Sequence, residues 1–173
     1  MLAYHDTEWG APLSEDRGLF ERLALEGFQA GLAWVTILRK REAFRVAFGD
    51  FEPARIARYD DSDRARLLAD AGIVRNRAKI DATISNAAAF LAVASEYGSF
   101  AAYLAGRLPR PAPALPAGAT SADVPASTRE SEALSADLRR RDFRFVGPTI
   151  VYAFMQSVGL VDDHLPACFR YRG

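Results

Sequence analysis

Helix punctuation recurs along the whole chain, and no stretch alternates apolar and polar residues cleanly enough to read as a strand. That combination leaves one way to build a core, by packing helices on helices. Ser14-Glu15-Asp16 reads as a helix start, a capping serine followed by acids that suit the positive end of the helix dipole. From there Leu19, Phe20, Leu23 and Gly27 keep helical spacing, and Gly27 and Gly31 loosen the chain around Phe28-Gln29-Ala30. A second stretch runs from about Leu32 to Phe48 and stops at Gly49-Asp50. Asp61-Ser62-Asp63 opens another helix, with Gly72 as its C-terminal cap. A long Ala-rich helix covers about Arg75 to Tyr97 and ends at Gly98. Ser127-Thr128-Arg129-Glu130 is a capping box that opens a helix to about Arg141. In the following DFRFVGPTIVYAFMQSVGL, Gly147 marks a tight turn and Pro148 suits the first position of a new helix. The reading is all-α, with two lobes around a proline-rich loop at 108–125 that carries Pro109, Pro111, Pro113 and Pro116.

At 173 residues, half of them hydrophobic, the chain makes one domain with a sizeable core. No apolar run reaches the roughly 18 residues of a membrane span, and MLAYHDTEWG has neither the basic start nor the apolar stretch of a signal peptide. The single cysteine, Cys168, excludes an intramolecular disulfide and a four-cysteine iron–sulfur cluster. These features predict a soluble cytoplasmic protein. Net charge is zero, yet basic residues cluster at Arg39-Lys40-Arg41, at Arg75, Arg77 and Lys79, and at Arg139-Arg140-Arg141 with Arg144. Each cluster reads as a solvated helix face or as part of a phosphate-binding surface.

Three constellations carry chemistry. In LEGFQAGLAW, residues 25–34, Glu26 sits on the edge of the apolar arc of its helix, where an ionised carboxylate is costly unless something offsets it. With Tyr4, Trp9, Phe28 and Trp34 it suits a flat cation held by stacking, cation–π attraction and charge. The plainer alternative is a core of aromatics with an arginine-paired glutamate. At the FRFVGPT turn, Gly147, Thr149 and the start of the following helix suit a phosphate; the alternative is an ordinary helical hairpin. His5, His164 and Cys168 exhaust the chain's histidines and cysteines. His164 and Cys168 are four apart, which points both at one metal, and Asp163 is a candidate fourth ligand.

AYHDTEWG, LEGFQAGLAWVTILRKRE, DAGIVRNRAKI and FRFVGPTIVYAFMQSVGLVDDH, in this order and spacing, resemble the 3-methyladenine DNA glycosylase I (Tag) family of bacterial DNA repair enzymes. The resemblance covers Leu2 to Cys168. It implies an all-α helix-hairpin-helix glycosylase, a single unit over 1–173. A helical lobe would lie around 14–106, the hairpin at about 128–158 and a zinc-ligand segment at 160–170, with the base pocket between two lobes. It implies a monomeric, monofunctional enzyme that flips 3-methyladenine out of double-stranded DNA and hydrolyses it off. Glu26 would recognise the methylated base and Tyr4 and Trp34 would stack on it, with Trp9 in the same aromatic set. Leu32, after Gly31, would fill the gap left in the duplex. Gly147 and Thr149 would hold the DNA backbone. His5, His164 and Cys168 would hold a structural Zn2+, although the family's fourth ligand, a cysteine ahead of the AYHD stretch, has no counterpart in this chain. The family's pocket tyrosine three positions before Tyr4 is Met1 here.

Two other classes fit parts of the sequence. A non-catalytic helix-hairpin-helix DNA-binding module would not need Glu26. A metal hydrolase with an open His-His-Cys zinc would need a general base near the ligands, with Asp163 the nearest candidate. A lyase would need a lysine beside the hairpin, and the two lysines, Lys40 and Lys79, are far from Gly147 in sequence.

Overall fold

The computed structural model describes residues 2–108 and 115–172, and every regular element among them is helical. In chain order these are α1 (Leu2–Thr7), α2 (Asp16–Gln29), α3 (Trp34–Ala47), α4 (Pro53–Ile56), α5 (Asp61–Ala69), α6 (Arg77–Tyr97), α7 (Phe100–Ala105), α8 (Arg129–Arg140) and α9 (Pro148–Ser157), with a 3-10 turn at Ser121–Asp123. Pro109, Pro111 and Pro113 of the proline-rich loop lie outside the described residues. The short α1, α4 and α7 escape a periodicity reading because none completes the two turns that a repeat needs.

Local chemistry moves several boundaries. Glu15, not Ser14, caps α2, its carboxylate accepting from the N–H groups of Arg17 and Gly18 at 3.0 and 2.7 Å. Asp60 caps α5 in a reciprocal box with Asp63, and that helix stops at Asp70 rather than Gly72. Asn76 caps α6 and starts it at Arg77. Thr128 caps α8, and Ser131 rather than Glu130 completes its box. The chain does not loosen at Gly27: α2 continues to Gln29, so packing outweighs the cost of about 1 kcal/mol for glycine in a helix interior.

That packing is extensive. Ten consecutive residues of α2, Leu19 to Phe28, are buried, which makes it the central helix. It packs against α3, α6, α7 and α9, while α8 lies on α9, and α4, α5 and α7 lie on α6. A run of phenylalanines joins the layers. Phe28 and Phe44 have ring centroids 4.6 Å apart, Phe48 and Phe51 5.5 Å, and Phe90 and Phe100 4.2 Å. Each such ring contributes about 2 kcal/mol by burial, and each pair about 1 kcal/mol beyond it.

Candidate active site

The buried run of α2 contains three charged side chains, Glu21, Arg22 and Glu26. Two are paired. Glu21 accepts from Arg41 at 2.6 Å and from Arg45 at 3.1 Å. Arg22 Nη2 donates to Glu8 Oε2 at 2.5 Å, and Arg41 Nη1 donates to the same oxygen at 2.6 Å. Glu26, 4% exposed, has neither an ion pair nor a hydrogen bond among the described residues. Burial pushes its carboxyl up to about 8, and the positive charge of Arg22, one turn earlier, only partly opposes this.

Its neighbours share the same lack of partners. Tyr4 is buried, its hydroxyl has no partner, and burial raises the phenol to about 12, with Arg22 lowering it and Glu26 raising it further. The Trp34 ring lies 5.5 Å from Tyr4, tilted by 48°, and its indole N–H has no partner. The Arg22 guanidinium carbon sits 4.9 Å from the Tyr4 centroid, with Nη1 unpartnered. Buried polar groups are normally satisfied, so four together that are not make a place shaped for a ligand. A flat cation there stacks on the rings and favours the ionised form of Glu26.

The aromatic wall is Tyr4 and Trp34 alone. Trp9 stacks on His5 at 5.8 Å and meets His164 edge-on at 4.8 Å, so it belongs to the histidine cluster and not to the pocket. Phe28 is part of the phenylalanine core. Sequence spacing could not separate these rings, because Tyr4 lies in α1 and Trp9 in the turn that follows it, and the two side chains meet different neighbours.

Between α2 and α3 the chain makes a tight turn. Gly31 takes φ +77, a conformation other residues rarely adopt, and stands in open space. Leu32 follows, 41% exposed, its N–H donating to the Gln29 carbonyl at 2.6 Å. Thr149 is exposed in the first turn of α9, after Gly147 and Pro148. Gly147 itself is extended, with φ −63 and ψ 159; the left-handed residues of this turn are Asp142 and Phe145. The tight point of the hairpin therefore lies before the glycine.

His5, His164 and Cys168 converge, their ligand atoms all within 4.8 Å of one another. Cys168 Sγ is 3.6 Å from His5 Nε2, a separation that two ligands of one tetrahedral zinc would show. Each histidine has a carboxylate on Nδ1: Asp6 on His5 at 2.9 Å and Asp162 on His164 at 2.6 Å. That arrangement leaves Nε2 of both rings facing the cluster, and Nε2 of His164 is buried without a partner. Gly10 closes over the His164 ring; a Cβ there would come within 2.6 Å of it. Asp163 is turned away, bonded to Tyr152 at 2.6 Å and Gln156 at 2.7 Å, so it is neither the fourth ligand nor a base beside the cluster.

The basic clusters are largely used internally. Lys40 donates to the carbonyls of Ala71 and Gly72, Lys79 to those of Phe28 and Ala30, and Arg141 pairs with Glu96. Arg39, Arg75, Arg77, Arg139 and Arg144 are exposed, with no ion pair to a described carboxylate. Sequence reasoning did not single out Arg22, Asn86 or Asp162, and it took Lys79 only as part of a basic cluster and as a lysine remote from the hairpin. Only Arg22 carried a signal, its four-residue spacing from Glu26 on one helix.

A family model described as methyladenine glycosylase matches residues 1–171. DNA-3-methyladenine glycosylase 1 of Escherichia coli (strain K12) is 44% identical over 172 residues, covering 99% of this chain and 91% of the relative. A crystal structure of 3-methyladenine DNA glycosylase I (TAG) superposes with a TM-score of 0.94 at 46% identity, over 99% of this chain and 93% of the other. A Tyr-to-Phe variant of such an enzyme, in complex with 3-methyladenine, superposes with a TM-score of 0.93 at 37% identity, over 99% and 92% of the two chains. The buried glutamate whose charge acts on Tyr4 thus stands in a chain that belongs to the methyladenine glycosylase family.

Proposed function

We propose that this chain is a monofunctional base-excision repair glycosylase that flips 3-methyladenine out of alkylated double-stranded DNA and hydrolyses it off, leaving an abasic site. The observation that carries this reading is Glu26, buried with no ion pair or hydrogen bond among the described residues, its charge acting on Tyr4, whose ring meets Trp34. Methylation at N3 gives adenine a positive charge and weakens its bond to the sugar. The leaving group therefore needs little acid catalysis, and the protein must chiefly extrude the base and discriminate it. Glu26 favours the cation over neutral adenine and accepts a hydrogen bond from the exocyclic amine, and Tyr4 and Trp34 stack on the ring. Leu32 fills the vacated stack, and Gly147 and Thr149, at the turn of a helix-hairpin-helix formed by α8 and α9, hold the backbone. Water then takes the sugar carbon. Neither lysine offers its amine to a lyase step: both are held on backbone carbonyls.

His5, His164 and Cys168 would hold Zn2+, which when bound cross-links α1 to the C-terminal segment and takes no part in the reaction. The paired Nδ1 atoms, the free Nε2 of His164 and the thiol fit it. With Asp163 bonded elsewhere, the fourth ligand does not come from the carboxylate nearest in sequence. The metal-hydrolase alternative loses its base for the same reason. We further take 1–173 as one glycosylase unit acting as a monomer in the bacterial cytoplasm; no helix among the described residues is long and apolar enough to cross a membrane.

The test is release of free base from methylated duplex DNA, resolved by chromatography, for this chain and for Glu26→Gln. Selective release of 3-methyladenine that falls in the variant supports the reading. Full activity and full discrimination in Glu26→Gln would remove Glu26 from it, and DNA binding with no release would leave a binding module.

A further inference from the structure

One face of α6 reaches both segments that would meet DNA. Lys79 and Asn86, seven residues apart, lie two turns apart on the same face, about 10 Å along the axis. Both are buried. Lys79 Nζ donates to the carbonyls of Phe28 at 2.8 Å and Ala30 at 2.6 Å. These are orphan carbonyls at the C-terminal end of α2, directly before Gly31 and Leu32, and a cation there also suits the helix dipole. Asn86 grips the other segment. Its side-chain N–H donates to the Arg144 carbonyl at 2.9 Å, and its carbonyl accepts from the Arg144 N–H at 2.8 Å. This two-way bond falls between Asp142 and Phe145, the two left-handed residues of the turn. Such residues cost energy and persist only where surrounding contacts fix them. Neither side chain touches the Tyr4–Trp34 wall through a hydrogen bond of its own.

We infer that Lys79 and Asn86 are positioning residues, and that α6 acts as a rigid spacer fixing the Leu32 turn relative to the α8–α9 turn. The inference rests on the glycosylase reading above. It follows from duplex geometry: a side chain entering the stack and a loop holding the backbone serve one flipped nucleotide only at a fixed separation. A helix is stiff over two turns, whereas the loops it holds are not. Misplacement of about 1 Å at either turn is enough to lose a large part of the rate.

The experiment compares wild type, Lys79→Met, Asn86→Leu and the double variant by three measurements. These are single-turnover release of 3-methyladenine from methylated duplex DNA, binding of free 3-methyladenine by tryptophan fluorescence, and melting temperature. A spacer predicts release from duplex slowed about tenfold or more in each single variant, with free-base binding kept within about twofold. The double variant then loses less than the product of the single losses, because both act on one separation. Release unchanged in folded single variants overturns the inference, as does a parallel fall in release and free-base binding, or strictly multiplicative losses. Failure of the glycosylase reading looks different: wild type itself then releases no 3-methyladenine, and the spacer for a flipped base falls with it. Should a variant fail to fold, Asn86→Asp, which keeps the bond from the Arg144 N–H and sets a carboxylate oxygen against its carbonyl, or Lys79→Gln, which keeps a shorter donor, is read by the same criteria.

Discussion

The guanidinium carbon of Arg22 lies over Tyr4, 4.9 Å from the ring centroid, while its Nη2 donates to Glu8 at 2.5 Å. It is thereby fixed as a buried cation one helical turn from Glu26 without closing an ion pair with it. Glu26 keeps a positive neighbour and an open hydrogen-bonding capacity at once, which is what a receptor for a cationic base needs.

Glu26 should make folding less favourable at neutral pH than in acid. Its carboxyl titrates near 4.5 when unfolded and is pushed up to about 8 in the folded chain. Below about 4.5 both states hold the proton and nothing is lost. Between about 4.5 and 8 the unfolded state releases the proton first, so stability falls as pH rises through this window, and it levels off above it. Glu26→Gln should therefore be more stable than wild type at pH 8, by on the order of a few kcal/mol, and melt higher there, with the advantage gone at pH 4. Melting curves of both proteins across pH check it; a constant difference at all pH values would refute the titration.

Replacing Arg22 by Met should be costly for stability. It leaves the shared oxygen of Glu8 with Arg41 alone and removes the cation beside Glu26, so Glu26 should hold its proton still more firmly. Breaking a buried pair costs several kcal/mol; with Glu8 partly exposed, we expect about 2–3 kcal/mol by denaturant titration. The pH at which a cationic base binds half-maximally should rise with it.

Leu32→Ala should separate activity from stability. The side chain is 41% exposed in a turn with open space around it, so its loss should change stability by under about 0.5 kcal/mol. Base release from duplex DNA should fall markedly while binding of the free base is kept. A fall in both would place Leu32 in the pocket instead.

Zinc should raise the melting temperature of the metal-stripped chain, since a ligand that binds only the folded state stabilises it by mass action. His164→Ala and Cys168→Ser should abolish that rise, and Asp162→Ala should weaken it by freeing the ring tautomer. Calorimetry with and without zinc measures the effect directly, independent of any activity.

The all-helical class of fold is legible from residue order alone. Capping residues, helical spacing and the lack of alternation are local signals, and they located α2, α3, α5, α6, α8 and α9 to within a few residues. Residue order also placed a carboxylate where a core was due. The tertiary structure decided what that carboxylate meets. Glu21, Arg22 and Glu26 look alike in sequence as charges in an apolar helix. Only packing against α3 and the turn after α1 gives the first two their partners, 14 or more residues away, and leaves the third without one among the described residues. Packing likewise sent Trp9 to the histidines, turned Asp163 toward Tyr152, and set Lys79 against the end of α2, 49 to 51 residues distant, and Asn86 against the α8–α9 turn, 58 residues distant. Helix ends are decided by neighbours in the chain; the partner of a buried charge is decided by which helices touch, and no local pattern encodes that.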